Sequence, residues 1–591
     1  MFSHLLAVAC LVPGLLAGVI SSSSSSSSPR VTVKNGTYVG FNDPVLHTDN
    51  FYGVAYAQPP IGDLRFRHPQ SLNSSWSGDR VVVDYPKECI ASNYNANMSE
   101  DCLYMGIIRP SNVTAKNLPV MVYLDQGGFD NGGVGFFPAF NQTWIVQRSA
   151  DIGYPILGVS VNSRLGPWGF MYSQEIQDQL ETNLGLRDMR KALEWIQENI
   201  AAFGGDPSRV TIQGQSTGAQ SVGLQILAYG GDNANLFQGA ISESGAPVWY
   251  APTADVALWQ PTYDGIVDAA GCSGAANNLQ CLREVSNTTL ISIFANSTLD
   301  PFGSNAPREF MMAVDGDFIP APNSELLQSG RFARVPYLIG TNFDEGTTVG
   351  PHGVNNGSDL NAYLVDEMMV IDDASLNTIG YLYPDIPEIG IPTTYHGRPP
   401  SSVGTQYKRS CAVATDIIMD APTRLTTLSM ASFNSTVWRY HFNVVPNGYS
   451  DLQGATHAAE VPLTFYDQSG TAYDDNPLGG TNGPKLLEMA KIMSAMWIGF
   501  VYSGDPNYLV DKIGATVPVP EWPKYQLPAP RNYVFTINQT LYTEPDTFRA
   551  EGINWLMDMM VASKNRNCTS IVACGGEADA INGETGGVYG F

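Results

Sequence analysis

"RVTIQGQSTGAQSVGLQIL", residues 209–227, joins a short β-branched run to a stretch with helical spacing, and the join is a serine between two glycines. The run "RVTI" reads as a buried strand, and "AQSVGLQILAY" after it repeats its apolar residues at helical intervals. Ser216 therefore falls on a strand-to-helix turn, where the small neighbours Gly214 and Gly218 permit a sharp elbow. A G-x-S-x-G pattern is cheap in a chain with 58 glycines. The competing reading is a serine that only caps a helix.

Around this elbow, strand and helix patterns alternate. "LPVMVYL" (118–124), "PILGVSV" (155–161), "GAIS" (239–242) and "VPYLIG" (335–340) are short apolar runs ending in glycine or polar residues, as buried parallel strands do. In "NLGLRDMRKALEWIQENIAAF", Leu186, Met189, Leu193, Ile196, Ile200 and Phe203 recur every three or four positions, one stripe of an amphipathic helix. The pattern predicts an α/β fold: a central, mostly parallel sheet with helices on both faces and long insertions. The Pro- and Asn-rich residues 250–330 and 350–430 read as irregular insertions of the kind that shape a substrate entrance.

The termini are read separately. "MFSHLLAVACLVPGLLAGVI" (1–20) predicts a secretory signal, followed by a Ser-rich tail (21–30), one catalytic domain (31–562) and a Gly-rich extension (563–591). Later segments offer no apolar run long enough for a membrane anchor. Acidic residues outnumber basic ones 56 to 31, for a net charge of -25, which disfavours nucleic acid and anionic membranes as partners.

Eleven N-x-S/T sequons, at Asn35, Asn73, Asn97, Asn112, Asn141, Asn287, Asn296, Asn356, Asn434, Asn538 and Asn567, predict a glycosylated extracellular surface. Outside the signal, local pairing joins Cys89 with Cys102 and Cys272 with Cys281, and Cys568 with Cys574, which leaves Cys411 over, or with Cys411 instead. Cys and His show no ligand spacing, so no metal or other cofactor is expected.

A serine hydroxyl needs a general base, usually imidazole. In a Ser…acid…His chain order, His47 and His68 come too early. His352 and His396 sit in the insertions, and His441 lies inside the predicted strand "STVWRYHFNVV", where packing is its expected role. His457, in "GATHAAEVPLTF", follows that strand between small residues and is the candidate base. "YLIGTNFDEGTTVG" places Asp344 and Glu345 beyond a buried strand, and either carboxylate would serve as the acid that orients the base. "VMVYLDQGGFDNGG" supplies Gly127 and Gly128 as oxyanion donors, with the N–H of Thr217 as a third.

These stretches, with "GVAYAQPPIGDLRFRHPQ", "SEDCLYMGIIRP", "GVSVNSRLGPWGF" and "MWIGFVYSGDPN" in the same order, resemble the type-B carboxylesterase/lipase family across residues 31–562. That group of α/β-hydrolases includes cholinesterases and Candida-type fungal lipases. The resemblance implies Ser216 as nucleophile, Glu345 rather than Asp344 as acid, His457 as base, and Gly127, Gly128 and Thr217 as oxyanion donors. It also implies a supporting role for Ser244 and the pairs Cys89–Cys102 and Cys272–Cys281.

The chain departs from the family pattern at three places. Gln215 and Thr217 replace the usual Glu and Ala around the nucleophile, and Gln126 replaces the first of three glycines. The first disulfide loop, a lid or gorge wall in lipases and cholinesterases, is cut to "IASNYNANMSED", which lacks a tryptophan to bind a quaternary ammonium. The expectation is a secreted, lidless serine esterase for aryl or hydroxycinnamoyl (feruloyl-type) esters, small or carbohydrate-linked. Sterol or triacylglycerol hydrolysis is the alternative; a non-catalytic adhesion ectodomain of the same fold is remote, because all three triad residues are present.

Overall fold

Apolar runs of the chain align into one eleven-stranded sheet. In chain order its strands are β1 (Phe41–Asp43), β2 (Thr48–Ala55), β3 (Tyr104–Pro110), β4 (Leu118–Leu124), β5 (Leu157–Val161), β6 (Gly205–Gln215), β7 (Gly239–Glu243), β8 (Tyr337–Asn342), β9 (Val437–Asn443), β10 (Arg531–Thr536) and β11 (Tyr542–Pro545). Their spatial order is β11-β10-β9-β8-β7-β6-β4-β5-β3-β2-β1. Every pairing from β5 through β10 is parallel, and antiparallel strands close both edges. The computed structural model describes residues 28–91, 94–133, 135, 138–248, 256–295, 310–368 and 371–562.

β4 shows why both faces are covered. Successive strand side chains point to opposite faces, and its seven residues are all buried. Val120, Val122 and Leu124 join one core with Leu186, Met189, Leu193 and Ile196 of helix α1 (Leu184–Asn199). Met121 and Tyr123 join a second core with Met493, Met496, Trp497 and Phe500 of helix α3 (Gly483–Ser503). Helix α2 (Thr217–Gly231) leaves the end of β6 and packs on the α1 side. The fold is thus the expected α/β-hydrolase sandwich.

Two readings need correction. The elbow strand starts at Gly205 and ends at Gln215, longer than "RVTI" at both ends. Residues 250–330 and 350–430 are not irregular where described: they include helices Val256–Ala269, Asn278–Glu284, Asn287–Phe294, Gly357–Met368, Asp373–Leu382, Tyr407–Thr415 and Ala421–Ser432. The polar residues that suggested loops are partly N-caps. Asn277, Ser286 and Asp372 each accept a backbone N–H from the first turn of the following helix.

Cys89–Cys102 and Cys272–Cys281 are disulfides, and Cys411 is buried and free. Cys568, Cys574, Asn296, Asn567 and the whole of 1–20 and 563–591 lie outside the described residues. The other sequon asparagines are all exposed or half-buried. Among the described residues no helix is long and apolar enough to cross a membrane.

The β9–β11 edge is held by one carboxylate. Buried Asp546 accepts from Arg424 Nη2 (2.7 Å), Tyr525 OH (2.6 Å), Asn532 Nδ2 (3.2 Å) and Arg439. Burial alone would raise its pKa, but Arg439 and Arg424 outweigh that and hold it well below the usual carboxylate range. Removing the charge leaves two guanidinium groups buried beside a neutral amide. Asp546→Asn is expected to lose about 3–5 kcal/mol of stability, measured by chemical denaturation at pH 7; a loss below about 1 kcal/mol would contradict this role for the cluster.

Candidate active site

The elbow is built by close backbone approach. Ser216 sits at φ 58°, ψ -129°, a conformation that a non-glycine residue adopts only under constraint. Its N–H donates to Glu243 O of β7 at 2.9 Å. A Cβ on Gly218 would stand 2.3 Å from Leu124 O, and one on Gly214 would stand 2.3 Å from the Gly218 carbonyl carbon. Only glycine lets α2 start this close to β4 and β6.

The loops after β8 and β9 bring acid and base to the same sheet end. His457 Nδ1 lies 2.6 Å from Glu345 Oε2, while Glu345 Oε1 accepts the Asn342 N–H at 2.7 Å. Asp344 serves the backbone instead, since its Oδ2 accepts the Ala455 N–H at 2.8 Å and its own N–H donates to Ala455 O at 3.0 Å. The two adjacent carboxylates thus divide between joining the loops and contacting the imidazole. Burial raises Asp344 to about 6.

The imidazole lies among buried carboxylates. Burial opposes its cation, but Glu345, through its charge and its hydrogen bond, and then Glu460 outweigh burial and raise its pKa. Glu460 is fully buried and accepts from Asn342 Nδ2; Glu243 accepts from Gln213 Nε2 and Trp497 Nε1. Burial raises both of these glutamates, helped by the charge of Glu460 on Glu243 and that of Glu345 on Glu460. The other side of the ring meets a neutral group, for His457 Nε2 lies 3.2 Å from Gln215 Nε2.

Around the glycine loop, Gln126 acts as an anchor. Its side chain donates to Ser163 Oγ at 2.9 Å and accepts from Ser221 Oγ at 2.8 Å, and its carbonyl accepts the Gly218 N–H at 3.1 Å. The loop then curls so that the Gly127 N–H donates to Asn131 O at 2.8 Å. In this conformation Gly127 offers no N–H to an oxyanion, contrary to expectation. Gly128 follows at φ 62°, and the Thr217 N–H lies in the first turn of α2, where a helix supplies no internal acceptor. Thr217 Oγ1 also accepts the Phe129 N–H at 3.3 Å.

Ser244 is fully buried beside the elbow, and its Oγ finds no partner among the described residues, so no hydrogen bond ties it to Ser216, Glu345 or His457. His441 packs as expected, stacked on Phe343 at 3.6 Å. Among the described residues no group of three or more His, Cys, Asp or Glu could hold a metal ion. Sequence reasoning passed over Glu243 and Glu460 and did not foresee the anchoring bonds of Gln126. A carboxylate ending the buried run "GAISE" and another three residues after His457 were the available signals.

The profile of the carboxylesterase family matches residues 27–551. The chain belongs to the carboxylesterase family. It is 33% identical to Lipase 1 of Geotrichum candidum over 71% of this chain and 80% of that protein. It is 32% identical to Secreted lipase 1 of Botryotinia fuckeliana over 85% of this chain and 88% of that one. The crystal structure of Aspergillus niger EstA superimposes with TM-score 0.79 at 27% identity, over 92% of this chain and 100% of EstA. As a member of the carboxylesterase family, the chain is a carboxylic ester hydrolase.

The two acids can be told apart by substitution. Glu345→Gln is expected to lower kcat/KM by about 10³–10⁴ with little change in melting temperature. Asp344→Asn is expected to lower the melting temperature while keeping more activity than Glu345→Gln. The reverse order of activities would exchange the two roles.

Proposed function

We propose that the protein is a secreted serine esterase working through Ser216, His457 and Glu345. The observation that carries this is the 2.6 Å contact between Glu345 and His457 Nδ1, with His457 Nε2 3.2 Å from the amide of Gln215, the residue before the strained Ser216. His457 Nε2 takes the Ser216 Oγ proton as Oγ attacks the ester carbonyl carbon. The tetrahedral oxyanion is met by the N–H groups of Gly128 and Thr217. The imidazolium returns the proton to the departing alcohol, leaving an acyl-enzyme. Water, deprotonated by the same imidazole, then releases the acid and regenerates Ser216.

The substrate reading rests on the first disulfide loop. Glu88–Cys89 pairs with Met98–Ser99 in a two-stranded ribbon, and Tyr94, Asn95, Ala96 and Asn97 are exposed at its turn. So short and polar a flap does not cover a long apolar tunnel, which favours soluble esters with bulky, open-ended alcohols. Aryl and hydroxycinnamoyl esters, including carbohydrate-linked ones, are the substrates we put first. The second reading, triacylglycerol or sterol ester hydrolysis, is favoured by the relatives named as lipases. Secretion is supported by the N-terminal signal pattern and by the Botryotinia relative named as secreted.

Rates on methyl hydroxycinnamates, p-nitrophenyl esters of increasing chain length, cholesteryl esters and triglycerides separate these readings. The expected result is highest kcat/KM on the aryl or short esters, with no jump in rate when substrate passes its solubility limit. Sharp activation at an oil–water interface would overturn the lidless reading in favour of a lipase.

A further inference from the structure

Deepening the triad reading above, on which it rests, we propose that Gln215 is a positioning residue for the base. Its side-chain amide donates to His457 Nε2 and holds that lone pair toward the nucleophile until substrate entry passes it to Ser216 Oγ. Three observations support this.

First, the tautomer is defined by the other ring nitrogen. Nδ1 at 2.6 Å from Glu345 Oε2 carries the proton, so Nε2 is an acceptor in the neutral ring. A neutral Gln215 can satisfy it only through its N–H, consistent with Nε2 of the amide lying 3.2 Å away. The amide oxygen in that place would face a lone pair.

Second, the same lone pair must receive the Ser216 proton. Among the described residues the ring nitrogens of His457 bond to Glu345 and Gln215, and no hydrogen bond joins Nε2 to Ser216 Oγ. The lone pair of the resting base is thus occupied by the Gln215 amide. Gln215 ends β6 and is buried, with its backbone paired to Glu243 of β7. The sheet therefore fixes where the amide sits relative to the ring.

Third, the remaining groups that face the ring act in the opposite direction. Glu345 and Glu460 favour its cation. Glu243 interacts with Glu460, and Asp344 is bonded to Ala455. Burial pushes Tyr123, Tyr440 and Tyr449 in this core upward, so they stay neutral. A donor on Nε2 favours the neutral imidazole, the form a general base needs. A carboxylate at this position would add to the push toward the cation instead.

The test compares the pH dependence of kcat/KM on p-nitrophenyl butyrate for wild type, Gln215→Met and Gln215→Glu, alongside ¹⁵N NMR titration of the His457 ring. Methionine keeps the length but cannot donate. The expected result is an acidic limb moved upward by about 0.5–1 pH unit in Gln215→Met and further in Gln215→Glu, with the His457 titration moving in parallel. Glutamate is nearly isosteric with glutamine, so a folding defect in the Met variant does not remove the test. A limb and a ring titration that stay put in both variants, or move downward in Gln215→Met, would overturn the proposal. Loss of activity in His457→Ala with an unmoved limb in Gln215→Met removes the role of Gln215 alone; full activity in His457→Ala removes the triad and this role with it.

Discussion

One carbonyl-to-amide contact across the parallel sheet, Glu243 O to Ser216 N, holds the turn on which the site depends. The turn is strained at Ser216 and has no room for a side chain at Gly214 or Gly218. Strain of this kind costs on the order of 1–3 kcal/mol and persists only where surrounding structure over-determines it. Here β4 and β7 lie on either side of β6, each buried on both faces, and the helix that follows is clamped against Leu124 O. Ser216 is left half-buried at the end of β6 because the backbone around it has nowhere else to go.

The same logic places the other two side chains. Glu345 and His457 come from loops after neighbouring parallel strands, so the register of β8 on β9 puts both loops at one sheet end. Asp344 then makes two hydrogen bonds to the Ala455 backbone, one through its carboxylate and one through its N–H, tying the loops together two residues before the histidine. Behind them lie two more buried carboxylates. Burying several acids around one imidazole is costly, and burial together with repulsion from a neighbouring carboxylate raises both Glu243 and Glu460. The neutral Gln215 avoids adding another charge to this group.

Much of this was legible in the sequence, for physical reasons that differ by element. "LPVMVYL" is β4 residue for residue, because a strand buried on both faces is a continuous apolar run. The elbow strand was underestimated because Gln213 and Gln215 are polar, yet they lie opposite Tyr123 and Glu243 in the ladder. The helices within 250–430 were missed where their capping residues resembled loop residues. Chain order and local pattern singled out Ser216 and His457 as candidates. Local pattern left Glu345 and Asp344 open, and only the family resemblance favoured Glu345; the contact that sets the two apart in the structure joins Asp344 to Ala455, 111 positions away. Gly127 and Gly128 looked equivalent as neighbours in sequence; the carbonyl of Asn131 separates them.

The central claim is that Ser216 is the covalent nucleophile. Its most direct test is to react the folded protein with a fluorophosphonate and locate the adduct by peptide mass spectrometry. The account predicts one adduct per chain, on the peptide carrying Ser216, and none in Ser216→Ala. An adduct on another residue, or no adduct on a protein that still hydrolyses p-nitrophenyl butyrate, would contradict it.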